Sequence, residues 1–286
     1  AEDGIRDYKV TGVQTCALPI YLMPNLPGSS YEKDVEMLNS SLYDQQLQAD
    51  QYKIYPTAIV PWTKIKKWYE EGTYVPYDDM KLYELIKNFK QKVQKWKRLN
   101  RIIRDIPGSY ISGGYNKKYV NMRQLLQNDM KKNNWRCMCI RCREVGGNII
   151  NMEDIKLNVI EYDASDGKEY FISYETEKYL IGFIRLRINS ANPNVLPVLK
   201  DAALIRELHV YSNLNNVGNN INESMQHKGF GRKLVEQAEL IAKKNNYYKM
   251  AIISGTGVRN YYKKLGYNLE DTYMIKYLNN HKCIIQ

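Results

Sequence analysis

Gln226-His227-Lys228-Gly229-Phe230-Gly231, immediately ahead of an amphipathic helix, constrains this chain more than any other stretch. Two glycines two residues apart at a helix start let the backbone close around a phosphate. The free N–H groups of the first turn and the helix dipole then favour its negative charge. The flanks narrow the choice of phosphate. A strand ending in Arg206-Glu207-Leu208-His209-Val210 precedes the turn, and Met250–Ser254 reads as a strand after the helix. Asn260-Tyr261-Tyr262 then begins a further helical stretch. Within Gly229–Asn245, Leu234, Ala238, Ile241 and Ala242 share one face, as a helix packed on a sheet requires.

This order of strand, Gln-x-x-Gly-x-Gly, helix, strand and Asn-Tyr-Tyr helix resembles the acetyl-coenzyme A site of the GNAT acyltransferases. The resemblance implies that Gln226 and Gly229 shape the turn and that the N–H groups of Phe230, Gly231 and Arg232 hold the pyrophosphate. Glu207, Leu208, His209 and Val210 would pair with the pantetheine arm as if it were another strand. Tyr261 and Tyr262 would stand near the thioester, with the Tyr262 hydroxyl reaching the sulfur. Both tyrosines also read as packing residues. Glu207 is the candidate general base for an amine acceptor, or a salt-bridged strand residue.

At 286 residues the chain is long enough for two domains with separate cores. No apolar run approaches the roughly 20 residues that span a bilayer, so no membrane segment is expected. The net charge of +11 favours a polyanionic partner such as RNA. A Lys-rich surface reflecting an AT-rich genome would read the same way. Three clustered cysteines without a signal peptide point to a reducing, cytoplasmic setting.

Residues 1–20 read as a translated sequencing adapter, with Tyr8-Lys9 as its index, and lack the apolar segment of a leader. Residues 21–110 give an α/β pattern: helices over Tyr31–Leu47, Thr63–Glu71 and Asp78–Lys97, strands over Tyr52–Val60 and Leu99–Ile106. Residues 111–150 form a connector with a helix at Val120–Asn133 and an irregular cysteine knot at Cys137–Gly147. Residues 151–286 begin with strands Ile155–Tyr162, Tyr170–Tyr174 and Tyr179–Ile188, with Asp166-Gly167 as a hairpin turn. Ala203–Tyr211 is a fourth strand, Asn213–Met225 a polar loop, and Tyr267–Leu278 a closing strand.

Further motifs extend the resemblance upstream. Met23-Pro24-Asn25-Leu26-Pro27-Gly28, Lys53-Ile54-Tyr55-Pro56-Thr57, Arg104-Asp105-Ile106-Pro107 and Cys142-Arg143-Glu144-Val145-Gly146 occur in the order found in the catalytic, third subunit of Elongator. With Arg206–Tyr211 and Gln226–Gly231, the likeness runs from Tyr21 to Leu278. That family joins a radical S-adenosylmethionine (β/α) barrel to a GNAT-like mixed sheet. It uses acetyl-CoA to place a carboxymethyl group on C5 of the wobble uridine, position 34 of tRNA. The implied fold is therefore α/β: the end of a barrel, a connector, and a GNAT-like domain.

By the same resemblance, Lys53 would stabilise a developing oxyanion or carboxylate and Tyr55 would position substrate, both as catalytic residues beside Glu207 and Tyr262. The implied partners are the tRNA anticodon arm and other Elongator-type subunits. S-adenosylmethionine and a [4Fe–4S] cluster belong to the full-length enzyme; the family's cluster-binding cysteine triplet has no counterpart here. Cys137, Cys139 and Cys142 fall in the connector, so the chain reads as a truncated form that would not perform the radical step alone.

Cys139-x-x-Cys142 raises zinc, yet no fourth ligand is evident beside Cys137, and no residue is assigned as a metal ligand. Lys64, Lys66, Lys67, Lys90, Lys92, Lys95, Lys97, Arg98, Arg101 and Arg104 make the middle of the chain basic, as solvated faces or as phosphate contacts. Two other functions stay open at this point: a free-standing amine acetyltransferase with Glu207 as base, and a non-catalytic RNA-binding remnant.

Overall fold

The computed structural model describes residues 19–115, 119–146, 148, 150–189, 196–211 and 229–278. Its contacts divide the chain between Arg143 and Glu144 into two units. Among the described residues no helix is long and apolar enough to cross a membrane. Gln226, the expected loop Asn213–Met225 and the adapter-like residues up to 18 lie outside the described residues.

The first unit is built on a three-stranded parallel sheet of β1 (Pro19–Leu22), β2 (Gln51–Ile54) and β3 (Arg98–Arg101), in that order. Helices α1 (Tyr31–Tyr43), α2 (Lys64–Glu70), α3 (Asp79–Lys92), α4 (Met122–Lys132) and α5 (Ile140–Arg143) complete it. Alternation along β2 sorts its side chains. Tyr52 and Ile54 are fully buried in a core with Leu38, Leu42, Leu82, Leu85, Ile86 and Phe89, while Gln51 and Lys53 face the other way. Each crossover helix has a capped start: Ser30 accepts from the Lys33 N–H, and Asp78 from the Met80 and Lys81 N–H groups.

Five elements differ from expectation here. The first helix ends at Tyr43, and Gln45–Leu47 forms a separate 3-10 turn because Asp44 is extended and caps it. The expected strand to Val60 stops at Ile54, since Pro56 has no N–H to give a ladder. Ile59 instead makes an isolated bridge with Gly113. The strand expected to reach Ile106 ends at Arg101, and the helix expected to reach Lys97 ends at Lys92. Inside the expected irregular cysteine stretch, Ile140–Arg143 is a helical turn.

The second unit is a seven-stranded mixed sheet. Its strands are β4 (Lys156–Ala164), β5 (Gly167–Glu175), β6 (Leu180–Asn189), β7 (Ala202–Val210), β8 (Lys249–Ile253), β9 (Asn268–Glu270) and β10 (Tyr273–Tyr277). The order is β4-β5-β6-β7-β8-β10-β9, with β7 and β8 parallel and every other pair antiparallel. Helix α6 (Phe230–Lys244) crosses from β7 to β8, and α7 (Arg259–Lys264) follows β8. Leu234, Val235, Ala238 and Ala242 of α6 pack on Ile172, Ile184, Leu186, Ala203, Ile205 and Ile252.

The β4–β5 hairpin forms as expected, but Ser165 and Asp166, both at positive φ, are its turn residues, and Gly167 opens β5. Two left-handed central residues make a turn whose twist suits a hairpin. The expected closing strand is a second hairpin: β9 and β10 pair around Asp271-Thr272, with Asp271 left-handed.

Candidate functional site

Two features of the second unit create an opening in its sheet. The parallel ladder between β7 and β8 runs only from Ala202–Lys249 to Ile205–Ile252, although β7 continues to Val210. On the other side, the β6–β7 register shifts between Arg185 and Leu186, opposite Arg206. A bulge there bends the strand and increases its twist. Arg206–Val210 thus keep their β8-side edge free of that neighbour, and backbone groups on a strand edge can pair with an extended ligand.

The start of α6 lies beside this opening. Gly229, the N-cap, has φ +76° and makes no side-chain cap bond, so among the described residues no capping side chain takes up the first-turn N–H groups. Phe230 is buried against Val145, Ile181 and Tyr174, which anchors the turn from the side. A β-carbon on Gly231 would stand 2.7 Å from the Tyr261 hydroxyl and 3.7 Å from Val210 Cγ2. The structure therefore brings Val210, Gly231 and Tyr261 together. Arg232 is exposed and paired with Glu236 at 2.7 Å, four residues on.

The two adjacent tyrosines part company. Tyr261 is partly exposed with its hydroxyl at the cradle, whereas Tyr262 is buried among the helix-facing core and packs edge-on to Tyr267. Burial, then the neighbouring Tyr261, pushes the Tyr262 hydroxyl up to about 12, so it stays protonated at neutral pH. Tyr261 is raised too, chiefly by burial.

Glu207 does not stand alone. Its Oε2 accepts from Arg185 Nε at 2.9 Å, and that guanidinium is fully buried, lying 5.3 and 5.4 Å from the ring centroids of Phe171 and Phe183. His209 continues the stack, 6.1 Å from Phe183 and 4.4 Å from Tyr211. Leu208 takes the opposite direction and packs against the core beneath α6. Arg185 was not singled out from the sequence; its signal is a charged residue recurring with Arg187 at alternate positions of an otherwise apolar strand.

In the first unit, Lys53 and Tyr55 meet through a residue the sequence reading passed over. Lys53 Nζ donates to the Tyr21 hydroxyl at 2.7 Å and lies 4.6 Å from that ring's centroid. Tyr21 in turn packs edge-on to Tyr55, centroids 5.5 Å apart. Parallel pairing sets this up, since Tyr21 and Lys53 are register partners and so share a face.

The three connector cysteines also converge. Their sulfurs lie within 4.8 Å of one another, and Lys90 Nζ donates to Cys142 Sγ at 3.6 Å. Hydrogen bonds from Cys137 and Cys139, then the charges of Lys90 and Arg123, pull the Cys142 thiol down, while Cys137 is pushed up. Such a set fits three positions of a tetrahedral thiolate site. Among the described residues no fourth His, Cys, Asp or Glu joins it.

Comparison with known proteins agrees with both units. The Radical_SAM C-terminal domain family matches residues 49–132, and the Acetyltransferase (GNAT) family matches residues 141–267. The tRNA uridine(34) acetyltransferase of Methanocaldococcus jannaschii is 38% identical over 97% of this chain. The protein of the same name from Dehalococcoides mccartyi is 38% identical over 96% of it. The solved structure of the archaeal Methanocaldococcus infernus Elp3 with an N-terminal deletion (1–46) superposes with a TM-score of 0.82 and 36% identity. It covers 95% of this chain and 65% of its own.

Nearly the whole of this chain is similar to Elongator protein 3.

Human Elongator complex protein 3 is 35% identical over 90% of this chain. The chain spans 52% of the M. jannaschii protein, 62% of the D. mccartyi one and 48% of the human one. The match to the Radical_SAM C-terminal domain takes in β2 and β3 of the parallel sheet, and the match to the GNAT family takes in β4–β8 with α6 and α7.

Proposed function

We propose that this chain binds acetyl-CoA in its second unit and serves an enzyme that builds a carboxymethyl group on C5 of uridine 34 in tRNA. The observation that carries this reading is the strand β7 leaving β8 after Ile205 beside an uncapped, glycine-started helix. The opening suits a flexible amide-bearing arm, and the helix start suits a diphosphate.

On this reading the N–H groups of Phe230, Gly231 and Arg232 hold the diphosphate, and Glu207–Val210 pair with the pantetheine amides. Tyr261 closes on the cradle from α7. Tyr262, protonated and buried, holds the start of α7 against the core. Arg185 fixes Glu207 within the strand, so the carboxylate orients the splayed edge instead of acting as a base. Lys53, steadied by Tyr21, offers a cation to a developing oxyanion or carboxylate, and Tyr55 positions the uridine.

S-adenosylmethionine with its [4Fe–4S] cluster would supply the radical needed to functionalise an unactivated methyl group. The chain's own residues bind, orient and neutralise charge. We also assign the tRNA anticodon arm, and other Elongator-type subunits, as partners of the intact enzyme.

Acetyl-CoA hydrolysis by this chain, measured with and without tRNA, tests the reading. Hydrolysis stimulated by tRNA is expected. Robust acetylation of lysine or polyamines without tRNA would instead make it an amine acetyltransferase. A folded chain that binds no acetyl-CoA would be a remnant.

A further inference from the structure

We propose that the cleft between the end of β3, the first turn of α4 and α5 is a site for a backbone phosphate of RNA, gripped by Arg123 and Arg141. The proposal rests on the reading that the enzyme handles tRNA, and nothing in the acetyl-CoA site bears on it.

The cleft encloses about 450 Å³, and its lining includes Asn100, Arg101, Asp105, Asn121, Arg123 and Arg141. Three guanidiniums against one carboxylate leave a surplus of two positive charges. Asp105 is already engaged by Arg101 at 2.9 Å, on the exposed rim. The other two arginines are fixed from behind. Arg123 Nη2 donates to the Leu99 carbonyl at 2.9 Å and the Asn100 carbonyl at 3.3 Å. Arg141 Nη1 donates to the same Asn100 carbonyl.

Two like charges sharing one acceptor are held side by side against their repulsion. A guanidinium carries five N–H donors. The bonds to β3 occupy one nitrogen of each fork, leaving both planar groups able to grip an anion with several oxygens. The helix adds to this. Asn121, the N-cap of the 11-residue α4, makes no side-chain cap bond, so the positive end of the dipole faces the cleft without its own counter-group.

The surroundings favour RNA over a free anion. The chain carries a net charge of +11, and Lys92, Lys95, Arg98 and Arg104 lie close in sequence to the rim residues. A single phosphodiester is gripped best where the flanking phosphates also meet cations.

The test is fluorescence anisotropy of an anticodon stem-loop RNA titrated with the full 286-residue chain at several salt concentrations. Arg141→Gln removes an exposed fork. Gln124→Glu, also exposed and in the first turn of α4, places a negative charge at the cleft. An acid there favours the helix, so weakened binding with an unchanged or raised melting temperature cannot be unfolding.

Each variant is expected to weaken RNA binding about five- to tenfold at low salt while leaving acetyl-CoA affinity alone. For Arg141→Gln the slope of log Kd against log salt should also fall by about 0.7–0.9, the loss of one phosphate contact. Wild-type affinity and slope in both variants would overturn the site. A chain that binds acetyl-CoA but no RNA would overturn the tRNA reading and the RNA assignment with it. If inorganic phosphate then shifts the Arg123 and Arg141 side-chain NMR signals, the cleft takes a free anion, which also overturns the assignment.

Discussion

The Tyr261 hydroxyl stands 2.7 Å from the point where a β-carbon on Gly231 would sit, on the first turn of α6. Position 231 thus serves two neighbours, a phenol from α7 and whatever approaches the helix start. Gly231→Ala should separate binding from stability. Alanine is favoured over glycine in a helix by about 1 kcal/mol, so displacing the Tyr261 ring is offset and the melting temperature should hardly move. Acetyl-CoA affinity should drop at least about tenfold, worth about 1.4 kcal/mol, in a calorimetric titration.

Arg185 and Glu207 form an ion pair with one partner wholly buried and the other partly so. Removing the carboxylate's partner leaves a charge without compensation, and Arg185→Met should cost about 3 kcal/mol in urea unfolding. Glu207→Gln should cost less, because an amide oxygen still accepts from Arg185. It should also keep acetyl-CoA binding and tRNA-stimulated hydrolysis within a few-fold. Complete loss of hydrolysis in a folded Glu207→Gln variant would restore the general-base role.

Lys53 sits on a face of β2 that does not enter the helix core, so Lys53→Met should leave stability within about 0.5 kcal/mol. Acetyl-CoA affinity should be unchanged and tRNA-stimulated hydrolysis reduced at least tenfold. Tyr21→Phe, which removes only the hydroxyl that Lys53 contacts, should give a smaller fall in the same direction.

Acid should loosen the first unit through Asp129. Burial alone would raise this carboxyl, but bonds from Trp135 Nε1 at 2.6 Å and Asn133 at 2.7 Å, with Lys87 at 3.2 Å, hold it below its usual value. A carboxyl lowered by folding contributes stability above its unfolded pKa of about 3.9, and that contribution is lost as pH falls through the folded value. The urea midpoint should therefore decline below about pH 4, and Asp129→Asn should flatten that decline. Parallel declines in both proteins would contradict the assignment.

Much of this was legible in local sequence, because the relevant signals are short-range. The glycine turn, the amphipathic α6 and the alternating strands each span a few residues, and family resemblance tied them together. The choice between Tyr261 and Tyr262 was not legible. One residue turns a helix by about 100°, which sends one phenol to the cradle and the other to the core. Nor could spacing reveal that Lys90, 52 residues before Cys142 in the chain, joins the thiols, or that Tyr21 steadies Lys53. Those contacts depend on how β1 registers with β2 and where α3 ends. Strands end where Pro56 and Asp271 interrupt runs that look continuous by composition.

Backbone NMR of the chain during titration tests the central claim most directly. Acetyl-CoA is expected to shift the amide signals of Gly229, Phe230, Gly231 and Arg232 to saturation, whereas acetyl-pantetheine, which lacks the diphosphate, should leave them in place while moving those of Glu207–Val210. Shifts confined to other parts of the sheet, or the same response to both ligands at residues 229–232, would contradict it.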